Sequence, residues 1–191
     1  MSMNHGQRLK LLIFGCLLGP LLTNTALASK VDLDAGVYNF SAKNTRTNTS
    51  QSLSGLGSYR LGYRYGFFDH YELDLGYSLL ATKTFSGDLS FGVDLGLNFF
   101  PFSYTKGIEI KTKSVSSSYQ EHWKPFIGIR FNQRNFQSIS SQYAGAGIQI
   151  GIEHPFQNYF LTTKLRYFSL LGPNNSNASQ VDWFFGVSFQ F

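Results

Sequence analysis

Charged side chains recur at every second position along several segments of this chain, and the positions next to them are mostly apolar. Seven of these charges are acidic and six are basic. Balanced charges on one face can form ion pairs or line a narrow path for ions, whereas a selective pore tends to carry one dominant sign. The thirteen residues are Asp32, Asp34, Arg60, Arg64, Glu72, Asp74, Asp94, Arg130, Arg134, Glu153, Lys164, Arg166 and Asp182.

The residues that could support metal binding or nucleophilic catalysis are three histidines after position 28, namely His70, His122 and His154. A metal site or an activated serine needs several such groups close together. Each histidine lies at a different predicted turn or loop. We therefore predict neither a catalytic site, nor a metal site, nor a cofactor.

Residues 1–28 have the pattern of a secretory signal peptide. Arg8 and Lys10 precede an apolar run at 11–22, and a small-residue site ends at Ala28. The run is too short for a membrane helix, which needs about 20 apolar residues. Cys16 lies inside the run rather than at its end, so lipoprotein processing is only an alternative interpretation.

Residues 29–191 are predicted to form one domain without cysteine, and therefore without disulfides. Without Arg8 and Lys10, 14 basic and 11 acidic side chains remain. This excess of positive charge is too small to indicate nucleic-acid binding. Eight segments alternate apolar with polar or glycine positions, which predicts β-strands. The segments are 31–40, 57–66, 71–81, 89–99, 126–136, 143–154, 159–170 and 181–191, with loops or turns predicted at 43–54, 155–158 and 172–179.

The strand pattern predicts an all-β fold, an eight-stranded antiparallel up-and-down transmembrane β-barrel. Strands of about 10 residues match what a tilted transmembrane strand requires. A soluble barrel or sandwich would show the same alternation with its apolar face inward. Two features favour the membrane barrel: the second face is rich in glycine and charge, and aromatic residues gather at alternate turns as a girdle. Those aromatics are Tyr65, Phe67, Phe68, Tyr71, Phe99, Phe100, Phe102, Phe156, Tyr159 and Phe160.

The segment 101–124 does not fit the pattern, because it is long and rich in serine and lysine. Two interpretations compete, a solvated excursion and a short extra hairpin at the foot of the barrel. We favour the excursion, since one more full strand would give an odd number.

The chain resembles the small eight-stranded outer-membrane β-barrels of Gram-negative bacteria, the OmpA/OmpX-like group. The resemblance rests on Leu-Gly-Tyr-Arg-Tyr-Gly at 61–66, Leu-Asp-Leu-Gly-Tyr at 73–77 and Phe-Gln-Phe at 189–191. It implies location in the cell outer membrane and lipid or lipopolysaccharide as surroundings. It also implies a monomer and a C-terminal signal, Val187, Phe189 and Phe191, that is read by the barrel-assembly machinery.

The same resemblance extends to lipid A deacylases, in which the seventh strand carries His-x-Ser. This chain reads Tyr167-Phe168-Ser169 there, so the base is missing and we predict no enzyme. We predict a mainly structural role in envelope integrity, with a polar lumen that its own side chains plug. A surface adhesin or partner-binding barrel and a narrow ion-conducting pore are the alternatives.

Overall fold

The computed structural model describes residues 29–68, 70–81, 89–102, 108–111, 116–119, 123–137, 141–156 and 159–191. The predicted signal peptide, 1–28, lies outside the described residues and stays a prediction. Within the described ranges, no helix is long and apolar enough to cross a membrane.

Eight long antiparallel strands close into a barrel, as the sequence predicts. β1 pairs with both β2 and β10, so the sheet has no free end around its circumference. The order around the barrel is β1-β10-β9-β8-β7-β4-β3-β2, and β5 and β6 form a separate two-stranded sheet. The strands are β1 Ser29–Asn44, β2 Thr49–Phe68, β3 Tyr71–Ala81, β4 Leu89–Phe99, β5 Ile108–Lys111, β6 Ser116–Tyr119, β7 Lys124–Phe136, β8 Ser141–Phe156, β9 Tyr159–Leu171 and β10 Ser176–Gln190.

The strands are strongly staggered around the barrel. A path of paired residues that leaves β1 at Asp32 crosses every strand and returns to β1 at Ala42, ten residues further on. A stagger of this size tilts the strands, and eight tilted strands leave an interior just wide enough for side chains. We call the end that holds Ser29 and Gln190 the terminal end, and the end with the β1–β2 and β9–β10 turns the loop end.

The outward face carries an apolar belt. Leu75, Leu95, Ile129 and Phe185 are each between 45% and 67% exposed, and most other outward positions of the belt are also large and apolar. At the loop end several outward positions are polar, namely Asn39, Gln133, Ser169 and Ser179, although Leu89 and Leu171 there are exposed and apolar. A continuous apolar surface with a polar border is what a lipid-facing barrel requires.

Three predicted loops are shorter than expected, because strands extend into them. β1 runs to Asn44 and β2 begins at Thr49, where the sequence predicts a loop over 43–54. β10 begins at Ser176 rather than at 181, and Pro155 and Phe156 belong to β8. The β2 extension lies beyond the belt, where most side chains on both faces are exposed, whereas in the β10 extension Ser176, Ala178 and Gln180 point inward and are buried. In both extensions the apolar alternation disappears although the backbone ladder continues.

The segment 101–124 contains the hairpin that we did not favour. Ile108 pairs with Tyr119 and Lys111 with Ser116 in a sheet of their own. Our preference for an excursion over a hairpin was therefore wrong. The barrel keeps an even number of strands because β5 and β6 do not join it.

Candidate functional site

The candidate site is the lumen, where the inward register of all eight barrel strands meets. All thirteen charged residues that the sequence places there are buried, with at most 4% exposure. The structure brings them into one connected network, because alternate residues of each strand point inward. With Lys30 and Lys124, the buried charges among the described residues are seven acidic and eight basic, so neither sign dominates.

Arg60 is the centre of the network at mid-height. Its Nη2 donates to Asp74 Oδ1 at 2.5 Å and to Asp94 Oδ1 at 3.0 Å. Its Nε donates to Asp94 Oδ2 at 3.1 Å, and its Nη1 to Asp34 Oδ2 at 3.4 Å. Arg130 donates to the same two carboxylates, Asp74 and Asp94. Each of these carboxylates is therefore shared between at least two cations.

Arg166 extends the central network towards β10. It donates to Asp94 Oδ2 at 3.1 Å and to Asp182 Oδ2 at 2.8 Å. Its guanidinium also lies 4.7 Å from the ring centre of Phe184 and 5.2 Å from that of Phe168. The cation is thus held by two carboxylates and two aromatic rings, while its buried Nε has no hydrogen-bond partner among the described residues.

A second group of charges lies nearer the terminal end, around Arg64. Its Nη1 donates to Glu72 and to Glu153 at 2.9 Å each, and its Nε lies 2.9 Å from Asp32 Oδ2. Lys30 donates to Glu153 Oε1 at 2.8 Å. The contacts of Glu153 with Arg64 and Lys30 join strands that are not neighbours in the barrel, so the network connects different walls of the barrel.

Lys164 connects the two groups. Its Nζ donates to Asp32 Oδ2 at 2.5 Å and to Asp34 Oδ2 at 2.9 Å. Asp34 also accepts from Arg60, and Asp32 lies beside Arg64. One chain of ion pairs therefore extends from the terminal end to the middle of the lumen.

Arg134 differs from the other arginines because no described carboxylate lies within 4 Å of it. Its guanidinium donates instead to Gln180 Oε1 at 2.8 Å and to Ser78 Oγ at 2.8 Å. Gln180 Nε2 in turn donates to both carboxylate oxygens of Asp182 at 2.9 and 2.8 Å. Gln180 thus connects Arg134 to the ion network indirectly.

Lys30 and Gln180 were not predicted as lumen residues, because each lies just outside a predicted strand. Both continue the inward register by one step, Lys30 before Asp32 and Gln180 before Asp182. Extending that register across the predicted strand ends would have found them.

An apolar cluster closes the lumen at the loop end, where the sequence predicts a polar interior. The ring centres of Phe40 and Phe136 are 4.7 Å apart, and those of Phe40 and Tyr143 are 5.3 Å apart. We call this set the loop-end cluster; its buried members are Tyr38, Phe40, Leu80, Phe136, Tyr143, Phe168, Leu170 and Ala178. The sequence contains a signal for this cluster, because apolar residues replace the polar and charged residues at the inward positions near the loop end.

A smaller apolar pair lies at the terminal end. Phe100 is 1% exposed and its ring centre is 5.2 Å from that of Phe126. His70 fixes this position, because Phe100 N donates to His70 O at 2.8 Å and His70 Nδ1 lies 2.7 Å from Phe100 O. Phe100 is therefore inside the barrel and does not belong to the outward aromatic girdle that the sequence predicts.

Glycines on the inward register provide the space that the arginines occupy. A Cβ on Gly76 would collide with the Arg60 guanidinium, and one on Gly96 would lie 2.8 Å from Arg130 Cγ. The alternation of glycine and charged residues on the inward register is thus a steric requirement. A long charged side chain from one strand lies over a glycine of the next strand, where a larger residue would not fit.

Gly76→Ala is expected to destabilise the barrel by about 1–3 kcal/mol, because the added methyl group overpacks the arginine cluster. Gly55→Ala is the comparison outside the arginine cluster, since a Cβ there would make a tight contact of 3.1–3.4 Å with the Tyr38 ring but would not overlap it. Urea titrations in one lipid composition would measure both free energies of unfolding. Equal stability of the two variants would contradict this role of Gly76.

The fold, the apolar belt and the charged interior together define a small eight-stranded transmembrane β-barrel. Solved structures with this fold include Neisserial surface protein A, which is 16% identical, with 86% of this chain and 99% of that chain covered and a TM-score of 0.56. The N-terminal β-barrel domain of OprF from Pseudomonas aeruginosa is 16% identical, with 86% and 97% covered and a TM-score of 0.52. The outer membrane protein OprG from Pseudomonas aeruginosa is 12% identical, with 86% and 96% covered and a TM-score of 0.50.

No family model matches the sequence, and no curated protein matches it either. The fold itself is nevertheless that of small eight-stranded outer-membrane barrels, and the predicted fold class is confirmed. The predicted location, the cell outer membrane, agrees with this fold and with the belt.

Proposed function

We propose that this protein is a structural barrel of the outer membrane that contributes to envelope integrity and does not conduct ions through its lumen. The observation that carries the proposal is the filled interior. Paired charges occupy the middle of the lumen, and apolar side chains close it at the loop end. An unpaired buried charge is costly, so a network of this kind favours one closed arrangement.

Deletion of the protein tests the envelope role. Cells without it should become more sensitive to detergent and release more of a periplasmic marker enzyme, and expression of the intact chain should restore both. Unchanged detergent sensitivity and marker release in the deletion strain would contradict the proposal.

The proposed partners follow from the same picture. Outer-membrane lipid or lipopolysaccharide surrounds the belt, the barrel works as a monomer, and nucleic acid is not a ligand. The barrel-assembly machinery would read Val187, Phe189 and Phe191, of which Phe189 and Phe191 are 46% and 74% exposed.

Phe191→Asp is expected to reduce the amount of folded barrel in the membrane several-fold, because a charge replaces the apolar end of the assembly signal. Gln190→Asp is the control, since Gln190 is also exposed but is not part of the apolar register. The measurement is the heat-modifiable band in membrane fractions. Equal membrane levels of the two variants would contradict this reading of the signal.

We also propose that the barrel is not an enzyme. Ser169 points outward near the loop end of β9, whereas His70 and His154 lie at the terminal end; His122 lies outside the described residues. A serine nucleophile needs a base within hydrogen-bond reach, and among the described residues Ser169 has none.

A second candidate function, partner binding, is favoured by the edge of β2. Residues 49–55 pair with β1 but not with β3, whose pairing with β2 begins at Ser58. No other described strand covers this edge, and it carries neither charge nor proline, the usual protections of an edge. An extended segment of a partner protein could add to it by strand pairing.

Lysine substitutions at Ser52 and Ser54 would protect the β2 edge against such pairing. Adhesion of expressing cells to immobilised matrix proteins should then fall, while the control Ser179→Lys, on the outward face of β10, should leave it unchanged. Equal adhesion of all three strains would speak against this function.

A further inference from the structure

A polar crevice of about 230 Å³ lies at the loop end of the barrel, next to the loop-end cluster. It is formed by β1, β2, β8 and the β9–β10 turn. The residues that line it are Ala42, Asn44, Thr49, Gln51, Ser141, Tyr143, Pro173, Asn174 and Ser176. Nothing in the structural role of the barrel requires this crevice.

The walls of the crevice are fixed by hydrogen bonds between two turns. Thr45 donates to Asn175 O through its backbone N at 3.2 Å and through its Oγ1 at 2.6 Å. Within the β9–β10 turn, Ser176 donates to Pro173 O from both N and Oγ. A site that is already rigid loses less entropy when a ligand binds.

Tyr143 supplies a polar group that the fold itself does not use. The side chain is 94% buried, since only 6% is exposed, and its ring packs against Phe40, Phe136 and Gly172. Tyr143 lines the crevice, and its hydroxyl has no hydrogen-bond partner among the described residues. The hydroxyl is not one of the fully buried polar atoms, so water reaches it in the empty crevice and a ligand hydroxyl can replace that water.

Two amides complete the set of free polar groups. Gln51 and Asn174 both line the crevice, and neither side chain has a hydrogen-bond partner in the described part of the chain. Asn174 is held at a φ of 54°, which fixes its place in the turn. A side-chain amide offers hydrogen-bond donors and an acceptor, and a hydroxyl offers one donor and an acceptor. The hydroxyl groups of a polyol need partners of both kinds.

The lining also excludes other ligand classes. No charged side chain lines the crevice, so an anion or a cation would lose water without a charge to pair with. An apolar ligand would leave the amides and hydroxyls unpaired. With a volume of about 230 Å³, the crevice has room for one sugar ring.

We propose that the crevice binds one neutral sugar unit, whose hydroxyl groups bond to the Tyr143 hydroxyl and to the amides of Gln51 and Asn174. The sugar could come from the cell's own surface polysaccharide or from a glycan outside the cell. Both sources share this chemistry, and the site does not depend on the proposed envelope role.

The test uses the intact barrel in lipid nanodiscs, because sugar-based detergents would compete for the site. D-glucose, D-galactose and N-acetyl-D-glucosamine are titrated while the amide and side-chain NMR signals of the crevice are followed. At least one sugar should give saturable shifts with a Kd of about 1–10 mM, as expected for a small polar ligand. Neutral fragments of the producing cell's polysaccharide and neutral external oligosaccharides are then compared to identify the source.

Three variants decide the assignment. Tyr143→Phe removes only the hydroxyl and should weaken binding about fivefold, the usual value of one hydrogen bond. Gln51→Ala should weaken it similarly, while Gln133→Ala, an amide on the outer face, should have no effect. The proposal is overturned if no sugar saturates the site, if Tyr143→Phe and Gln51→Ala bind as the intact chain does, or if a sulfated sugar binds better than its neutral parent.

Discussion

Replacing Arg60 with alanine is expected to lower the free energy of unfolding by about 3–5 kcal/mol, the range found when one partner of a buried ion pair is removed. Arg60 donates to three carboxylates, Asp34, Asp74 and Asp94, and all four groups are nearly or fully buried. Removing the cation takes one ion-pair partner from each of these three carboxylates, which stay buried in the lumen. Urea titration of the barrel in lipid vesicles, followed by tryptophan fluorescence, measures the loss.

Two further variants show whether the effect comes from charge pairing. Arg46→Ala removes an exposed arginine from the β1–β2 turn and should change nothing measurable. Asp74→Asn in the Arg60→Ala background should restore part of the lost stability, because it removes one of the uncompensated charges. A loss below about 1 kcal/mol for Arg60→Ala would show that the network does not hold the barrel together.

Ile129→Arg is expected to destabilise the barrel by about 2–4 kcal/mol in a bilayer, since arginine on the lipid face is costly at the membrane midplane. Ile129 is 67% exposed and lies at the middle of the outward face of β7. Gln133 is the matched position, since it points outward on the same strand, four residues nearer the loop end. Gln133→Arg should cost only about 0–1 kcal/mol, because it lies at the border of the belt.

The comparison of these two arginines measures the depth of the belt. Both variants carry the same new charge on the same strand, so assembly defects specific to β7 affect both. The difference in unfolding free energy between them should persist in bilayers of several lipid compositions. Equal costs at the two positions would mean that the apolar belt does not mark the hydrocarbon layer.

The strands inside the belt could be predicted well from the sequence. The predicted bounds 71–81 and 89–99 are those of β3 and β4. Lipid on one face and a charged lumen on the other impose a strict alternation there. Beyond the belt both faces of the sheet meet water, so residues 49–56 of β2 have no such alternation and the sequence suggests a loop.

The composition of the lumen could also be predicted, but its pairing could not. The register places Arg64 and Glu153 on the inward face, yet they are 89 residues apart and come from different walls of the barrel. Their contact depends on the ten-residue stagger and on the lengths of side chains crossing the lumen. The loop-end cluster was not predicted, for a different reason. Apolar residues at inward positions break the alternation of apolar and polar residues, and this break suggested the end of a strand rather than a packed apolar layer inside the barrel.

Ion conductance of the purified barrel in planar lipid bilayers tests the central claim most directly. A lumen filled by paired charges and closed by the loop-end cluster should give no discrete current steps above the baseline of the bare bilayer, at either sign of voltage. A large, steady current that scales with the number of inserted barrels would contradict the filled lumen and favour a pore.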